Sequence, residues 1–247
     1  MVLTALRGAL GFLTRAPVGE SERAWDAFRA TPAAFPLAGY VIGAVLALPF
    51  LPPAPDPVTA FAFLAWVYVV TGIPHADAVA DLGDAAVVHG LPDERRAVMR
   101  DTTVGVGAVL ALGLVLIGLW SAGLALAPLP VRVVGLVVAA EVGAKLAMAS
   151  VACLGTATHE GLGSAVAGGH GRRDLILPVL VALPAALLTW PHPAAGTALV
   201  TALLAGIATL RWGNTILGGI SGDVIGAANE VARLAALLTG VVVWMHW

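Results

Sequence analysis

Three aspartates near the end of an apolar segment are the residues of this chain best suited to chemistry. Asp77, Asp81 and Asp84 fall within "HADAVADLGDAAV", in a protein of 247 residues that has only 15 acidic ones. Pro74 and the surrounding alanines predict a helix, and the i, i+4, i+7 spacing places the three carboxylates along one stripe of it. Because like charges at this spacing repel each other, we expect a cation beside them. Mg²⁺, which prefers oxygen ligands and bridges to substrate phosphates, suits this set.

A simpler interpretation of the same stripe is an acidic helix end in solvent, paired with arginines of the following loop. We favour the metal site because the stripe begins at the boundary of an apolar segment, where ionisable side chains often have a functional role. His75 points away from the stripe, and it is a reserve candidate for a general base or a substrate contact.

Arg100 and Asp101 lie just before another apolar segment, in "VMRDTTVGVGAV". A guanidinium binds phosphate in a fork, which makes Arg100 a candidate phosphate clamp. Asp101 could be a further metal ligand, or it could N-cap the helix that follows, with Thr102 and Thr103 completing the first turn. Taken alone, the segment favours the cap.

The segment "GNTILGGISGDVIGAANEVARL", residues 213–234, combines glycines with acidic residues. Glycines let a backbone approach a ligand closely, and amides at a helix start bind phosphate; the glycines concerned are Gly218, Gly219 and Gly222. Asp223 and Glu230 then lie on one helical face, with Gly226 between them. Close helix packing would also explain the glycines, but it leaves the two acids unexplained.

The composition indicates that helices in a membrane must position these residues. Hydrophobic residues make up 59% of the chain and charged residues 11%, and the mean hydropathy is +0.93, which is typical of a membrane protein. The apolar residues fall into seven blocks, each near the length that a helix needs to cross the hydrocarbon: 33–51, 58–74, 104–127, 131–153, 175–190, 194–217 and 231–247. We therefore predict an all-α fold, a polytopic integral membrane bundle of about seven transmembrane helices, forming a single domain over residues 1–247.

The connections predict the orientation and the partners. Arginines are concentrated in the long connections, so the positive-inside rule places those in the cytoplasm. We predict an interfacial arm over 1–32 and active-site loops at about 75–103, 154–174 and 211–230. The middle loop is a candidate cover that includes His159 and Glu160.

Within the fourth block, Glu141 and Lys145 are spaced as an ion pair. The net charge of −2 argues against nucleic acid, and the single cysteine excludes an internal disulfide.

Five further segments accompany the acidic cluster in an order that resembles one family. His75-Ala-Asp77-Ala-Val-Ala-Asp81-Leu-Gly-Asp84 resembles the "HxDGxADxxDG" signature of cobalamin-5′-phosphate synthases, also called adenosylcobinamide-GDP ribazoletransferases. The other similar segments are "LGFLTRAPV", "AFPLAGYVIGAV", "MRDTTVGVGAV", "HEGLG" and "GGISGDVIGAANE". Every carboxylate of the family pattern is present. The chain departs from the pattern at Ala78, Ala85, Arg100 and Thr103, where the family has glycine, glycine, lysine and arginine.

This resemblance implies transfer of phosphocobinamide from adenosylcobinamide-GDP to the 5′-hydroxyl of α-ribazole or of its 5′-phosphate, with release of GMP. It implies a multi-pass enzyme of the cell membrane, with its active site facing the cytoplasm and Mg²⁺ as cofactor, working alone, as a homo-oligomer or with other cobalamin-assembly enzymes. The predicted metal ligands are Asp77, Asp81, Asp84, Asp101 and Asp223. The predicted catalytic residues are Asp84, the favoured proton acceptor, with Asp81 and His75. The predicted substrate-binding residues are Arg100, Gly105, Gly219, Gly222, Asp223 and Glu230.

Two other classes of protein were weighed against this one. A CDP-alcohol-type membrane phosphotransferase also uses clustered aspartates and Mg²⁺, but its signature has an Ala-Arg pair and a spacing of acids that residues 77–101 lack. A secondary transporter would bind a coupling ion near the bilayer midplane, whereas these carboxylates lie at the ends of the apolar blocks.

Overall fold

The computed structural model describes residues 1–19, 21–158 and 161–247. Within these ranges the chain forms twelve α-helices, and its β-structure is limited to one isolated bridge between Ala157 and Ile220. The helices are α1 (Val2–Leu13), α2 (Glu22–Arg29), α3 (Ala34–Leu46), α4 (Asp56–Thr71), α5 (Pro74–Val87), α6 (Pro92–Val98), α7 (Val106–Leu126), α8 (Val134–Leu154), α9 (Leu162–Ala167), α10 (Ile176–Ala182), α11 (Ala194–Trp212) and α12 (Gly222–His246). The predicted all-α fold is confirmed.

The number of membrane-crossing segments is lower than the sequence suggested. Four helices, α7, α8, α11 and α12, are long and apolar enough to cross a membrane. Two bent pairs, α2 with α3 and α4 with α5, raise the number to six if each pair is one span. The block 175–190 does not form a membrane-spanning helix, because α10 has only seven residues before a 3-10 turn over Leu183–Leu187. Pro184 lies in that turn, where its missing amide interrupts α-helical hydrogen bonding. The polytopic helical membrane fold is confirmed, with four to six spans in place of about seven.

Helix α8 forms the centre of the bundle, where α3, α11 and α12 pack around it. Within its most apolar stretch, 94% of the residues are buried. Small residues make this packing close, as is typical of helices in lipid: a Cβ at Gly43 of α3 would lie 2.8 Å from the Val138 Cα, and one at Gly206 of α11 would lie 2.9 Å from the Ala147 Cα. Helix α7, with only 28% of its stretch buried, lies at the edge.

Helix α5 holds the acidic stripe where α7 and α12 begin. It turns by 98° from the direction of α4, so it does not continue that helix across the bilayer. Because α4 is apolar and α5 contains three aspartates, we treat α4 as the membrane-spanning member of the pair. Glycines let α5 approach its neighbours: a Cβ at Gly107 of α7 would lie 2.3 Å from the Gly83 carbonyl oxygen, and one at Gly226 of α12 would lie 2.9 Å from the Ala78 Cβ.

The first two helices form a hairpin that packs against α3. An aromatic cluster holds this hairpin together, with ring centroids 4.9 to 5.8 Å apart. The cluster consists of Phe12, Trp25, Phe28 and Phe35. The hairpin occupies most of the predicted 1–32 arm, whose location at a membrane surface stays a prediction.

Candidate active site

The predicted acidic stripe forms one wall of a cavity of about 400 Å³. Helix α5 begins at Pro74, as its sequence predicts, and Asp77, Asp81 and Asp84 line this cavity together. Asp101, from the connection between α6 and α7, lines it as well, and Arg100 lies at its rim. The structure therefore brings together four of the five predicted metal ligands around one volume, which we call the acidic cavity.

Electrostatics show that the fifth carboxylate, Asp223, belongs to the same neighbourhood. Burial, followed by the negative charges of Asp223, Asp77 and Asp84, raises the pKa of the half-buried Asp81 to about 6. The direction of the shift means that burial and carboxylate repulsion outweigh any favourable charge near Asp81 in the described part of the chain.

Asp84 has a structural role that the sequence did not reveal. Its two carboxylate oxygens accept hydrogen bonds from the backbone amides of Gly105, at 2.8 Å, and Ala108, at 2.9 Å. These amides belong to the unpaired donors at the start of α7, so Asp84 caps that helix from α5. Each oxygen keeps a further lone pair, so the roles of Asp84 as proton acceptor and metal ligand stay predictions beside this structural one.

Asp101 consequently does not cap α7, which corrects the interpretation that the sequence favoured. The helix begins at Val106, several residues after the predicted start, because residues 103–105 are not helical. Asp101 instead accepts a hydrogen bond from the Thr103 amide at 3.1 Å. Hydrogen bonds from Thr103 lower the pKa of this fully exposed carboxyl. Asp101 is thus ionised and open to the acidic cavity.

Replacing Gly105 with alanine should destabilise the protein by about 1–2 kcal/mol, the cost of losing a helix cap. A Cβ at Gly105 would lie 2.4 Å from Oδ1 of Asp84, so the carboxylate has to leave the α7 amides. Gly113→Ala is the matched control in the same helix, because no atom lies within 4 Å of its added Cβ. Thermal unfolding in detergent would measure both variants, and equal stability for the two would contradict the cap.

A second, small cavity adjoins the acidic one and shares Arg100 and Met99 with it. Arg96, Gly219 and Asp223 also line it. Gly219 has a φ of +155°, and a Cβ there would lie 2.5 Å from the Thr156 carbonyl oxygen, so only glycine fits this approach of two chain segments. Arg100 and Asp223, both predicted as substrate contacts, thus line the same cavity.

The third cavity is a cleft of about 530 Å³ at the start of α12. It shares Ser221 and Asp223 with the second cavity, and His75 and Gly222 also line it. Ser221 caps α12 through Val224 N at 3.4 Å and donates to Asp223 Oδ2 at 3.2 Å. Each cavity thus shares lining residues with a neighbouring one, and we refer to the three together as the active-site cleft. His159 and Glu160, predicted as part of a cover, lie outside the described residues.

The comparison with known proteins agrees with this arrangement. The family model of cobalamin-5-phosphate synthase matches residues 5–242. The chain belongs to this family. Curated relatives named adenosylcobinamide-GDP ribazoletransferase include one from Halorubrum lacusprofundi, 52% identical over the full length of both chains. Another, from Haloquadratum walsbyi, is 46% identical over 99% of this chain and 100% of the relative. A third, from Halobacterium salinarum, is 54% identical over 77% of this chain and 96% of the relative. No solved structure matches.

In this member of the cobalamin-5-phosphate synthase family, Glu230 does not line the active-site cleft, although we predicted it as a substrate contact. Its side chain is fully buried, and its Oε1 accepts from Arg233 at 2.5 Å and from Asn229 at 3.0 Å. Seven residues of α-helix place Glu230 about 10 Å deeper along α12 than Asp223. At that depth its partners are charged side chains of the bundle interior, not substrate.

A buried network of charges connects α8 and α12. Glu141 pairs with Lys145, as the spacing predicts, and also accepts two hydrogen bonds from Arg233, at 2.7 and 3.1 Å. Lys145 donates to Asn229 at 2.7 Å. All these side chains are at most 1% exposed. The network balances two acids against two bases, which buried charges require.

Several residues of the site were missed by sequence reasoning. Arg96 and Met99 line the second cavity, and Asn229 and Arg233 complete the buried network. Arg233 could have been identified from the sequence, because a charged residue inside an apolar segment often has a functional role. The pairing of Asn229 with Lys145 was not predictable from local spacing, because the two residues are 84 positions apart in the sequence.

Proposed function

We propose that this chain is an adenosylcobinamide-GDP ribazoletransferase that joins the lower ligand in vitamin B12 biosynthesis. It transfers phosphocobinamide from adenosylcobinamide-GDP to the 5′-hydroxyl of α-ribazole or of its 5′-phosphate, and GMP leaves. The observation on which the proposal rests is that five of the predicted carboxylates and Arg100 line neighbouring cavities that share lining residues. The five are Asp77, Asp81, Asp84, Asp101 and Asp223.

Cleaving a phosphoanhydride requires neutralisation of phosphate charge, in-line positioning and removal of a proton from the attacking hydroxyl. Arg100, on the wall shared by the acidic and second cavities, binds the phosphate of the leaving GMP. Asp81 is a second candidate beside Asp84 to accept the proton of the hydroxyl, because burial and the neighbouring carboxylates raise its pKa to about 6 in the protein without metal. Gly219 and Gly222 allow the substrate to approach the backbone at the start of α12.

The donors of the acidic cavity fit a hard divalent cation. Asp77, Asp81, Asp84 and Asp101 line this cavity, and carboxylate oxygens are the ligands that Mg²⁺ prefers. Among the described residues, no group of three or more His, Cys, Asp or Glu side chains is close enough together to hold a metal. The predicted set of five carboxylate ligands is therefore not assembled in this structure, and one or two of these carboxylates would hold Mg²⁺ together with substrate phosphates. Bound there, Mg²⁺ would neutralise the charge of the diphosphate.

We further propose that the active-site cleft faces the cytoplasm, where the positive-inside rule places the loops that form it. A large, partly apolar substrate would reach the cleft from the inner membrane surface. Association of this chain with itself or with other cobalamin-assembly enzymes stays a prediction.

The experiment that tests the function measures GMP release by purified protein in lipid. We expect GMP from adenosylcobinamide-GDP only when both α-ribazole and Mg²⁺ are present, and none after chelation of the metal. Comparing α-ribazole with its 5′-phosphate identifies the preferred acceptor. Absence of GMP under all conditions contradicts the proposal. Release of CMP from a CDP-alcohol instead would indicate the related class of phosphotransferase.

A further inference from the structure

The buried charge network reaches the active-site cleft through a single side chain, His75. Its Nδ1 lies 3.1 Å from Nδ2 of Asn229, and Asn229 in turn contacts Lys145. His75 itself lines the third cavity, at the start of α12. A chain of hydrogen bonds therefore runs from the bundle interior to the substrate side of α5.

The direction of each hydrogen bond in this chain follows from the chemistry of its ends. The ammonium of Lys145, which pairs with Glu141, only donates, so the atom of Asn229 at 2.7 Å from it is the carbonyl Oδ1. The amide NH₂ of Asn229 then donates to Glu230 Oε1 at 3.0 Å, an atom that only accepts. The second hydrogen of that NH₂ faces His75 Nδ1. A nitrogen that faces a donor has to accept, so the ring proton of a neutral His75 is on Nε2.

The opposite nitrogen of the ring is accessible from the cleft. Over the described ranges, the only buried side-chain nitrogen or oxygen without a hydrogen-bond partner is Nε2 of His192. His75 Nε2 has no hydrogen bond either, so it is not buried, and His75 lines the cleft beside Ser221 and Asp223. The N–H of Nε2 is thus available to a ligand.

We propose that the relay from Lys145 through Asn229 fixes His75 in the Nε2–H tautomer, so that His75 donates a hydrogen bond to an oxygen of the transferred phosphate. In this arrangement His75 does not act as the general base, the role held in reserve for it, because Nδ1 faces the amide of Asn229 and Nε2 carries the proton that is donated. Lys145 and Asn229 are positioning residues. This inference rests on the proposed function for the identity of the substrate.

A neutral donor suits this position for a physical reason. A preorganised N–H stabilises the charge that develops on phosphate oxygens at no reorganisation cost. The buried network is electrically balanced, so it orients the ring without requiring His75 to be charged. The acidic stripe lies on a different face of α5, which leaves proton removal to a carboxylate and hydrogen-bond donation to His75.

Two substitutions of His75 test whether this residue acts as a hydrogen-bond donor or as a general base. Glutamine has an amide N–H close to the position of Nε2 but no basic atom, whereas alanine has neither. We expect His75→Gln to keep kcat for GMP release within about 10-fold of wild type and His75→Ala to lower it about 100-fold. The exposed His89, changed to the same two residues, is the control and should have no effect. Equal loss in His75→Gln and His75→Ala would overturn the inference.

¹⁵N NMR spectroscopy can determine the tautomer of His75 in the absence of substrate. In ¹⁵N-histidine-labelled protein in lipid, His75 should show an unprotonated Nδ1 and a protonated Nε2. Asn229→Asp replaces the donating amide with an acceptor of the same shape, and it should move the proton onto Nδ1. The exposed Asn214, changed to aspartate, is the matched control and should leave the His75 signals unchanged. A protonated Nδ1 in the wild-type protein would refute the relay.

These measurements also distinguish the inference from the proposed function. A wild-type protein that binds lipid and folds but releases no GMP contradicts the function, while the ¹⁵N spectrum still tests the tautomer. An active wild type in which His75→Gln is as impaired as His75→Ala contradicts the inference and leaves the function intact.

Discussion

Asp81→Asn should lower kcat for GMP release about 1,000-fold, the middle of the range for loss of a general base. Asparagine has nearly the same shape as aspartate, but it neither accepts a proton nor offers a charged ligand to Mg²⁺. Asp56→Asn is the matched control, because Asp56 lies at the exposed start of α4, outside the cleft. An Asp81→Asn enzyme within about 10-fold of wild type would contradict the assigned role.

The raised pKa of Asp81 provides a second measurement on the same pair of proteins. A carboxyl whose pKa is higher in the folded protein stabilises the fold at low pH, and this stabilisation is lost as the pH rises through about 6. Mg²⁺ binds the ionised form, so it should raise the melting temperature more at about pH 8 than at about pH 5. Asp81→Asn should reduce that difference, whereas Asp56→Asn should keep it.

Local spacing explains why the acidic stripe could be predicted. Pro74 and the alanines specify the start and type of α5 without help from the rest of the chain, and a helix of known period fixes which faces Asp77 and Asp81 share. The same reasoning correctly turned His75 away from the stripe. Composition likewise sufficed for the polytopic helical fold, because no other structure except a closed barrel satisfies its backbone in lipid.

Contacts between distant segments explain what the sequence could not provide. The capping role of Asp84 was not predicted, because its partners, the amides of Gly105 and Ala108, lie 21 and 24 positions away. Glu230 was placed on the cleft by helical periodicity, which gives direction but not depth, and so concealed its pairing with Arg233. The span count depended on bends of 98° and 111° between helices, which hydropathy does not report.

Glu141→Met should destabilise the protein by about 3–5 kcal/mol, the cost of breaking a buried ion pair. Glu141 accepts from both Lys145 and Arg233, so its removal leaves an excess positive charge in the bundle interior. Reversible unfolding in mixed detergent micelles would measure this loss. Glu22→Met is the control, because Glu22 is exposed at the start of α2, and should cost less than about 1 kcal/mol.

The double variant Glu141→Met, Lys145→Met tests whether charge balance is the reason. It removes one charge of each sign and leaves Arg233 paired with Glu230. We expect it to be more stable than Glu141→Met alone, because replacing a buried pair with apolar side chains is often neutral. The coupling between the two positions should then exceed about 1 kcal/mol. Additive losses at the two positions would mean that packing around α8, not charge balance, governs stability there, and the network would retain only its role in orienting His75.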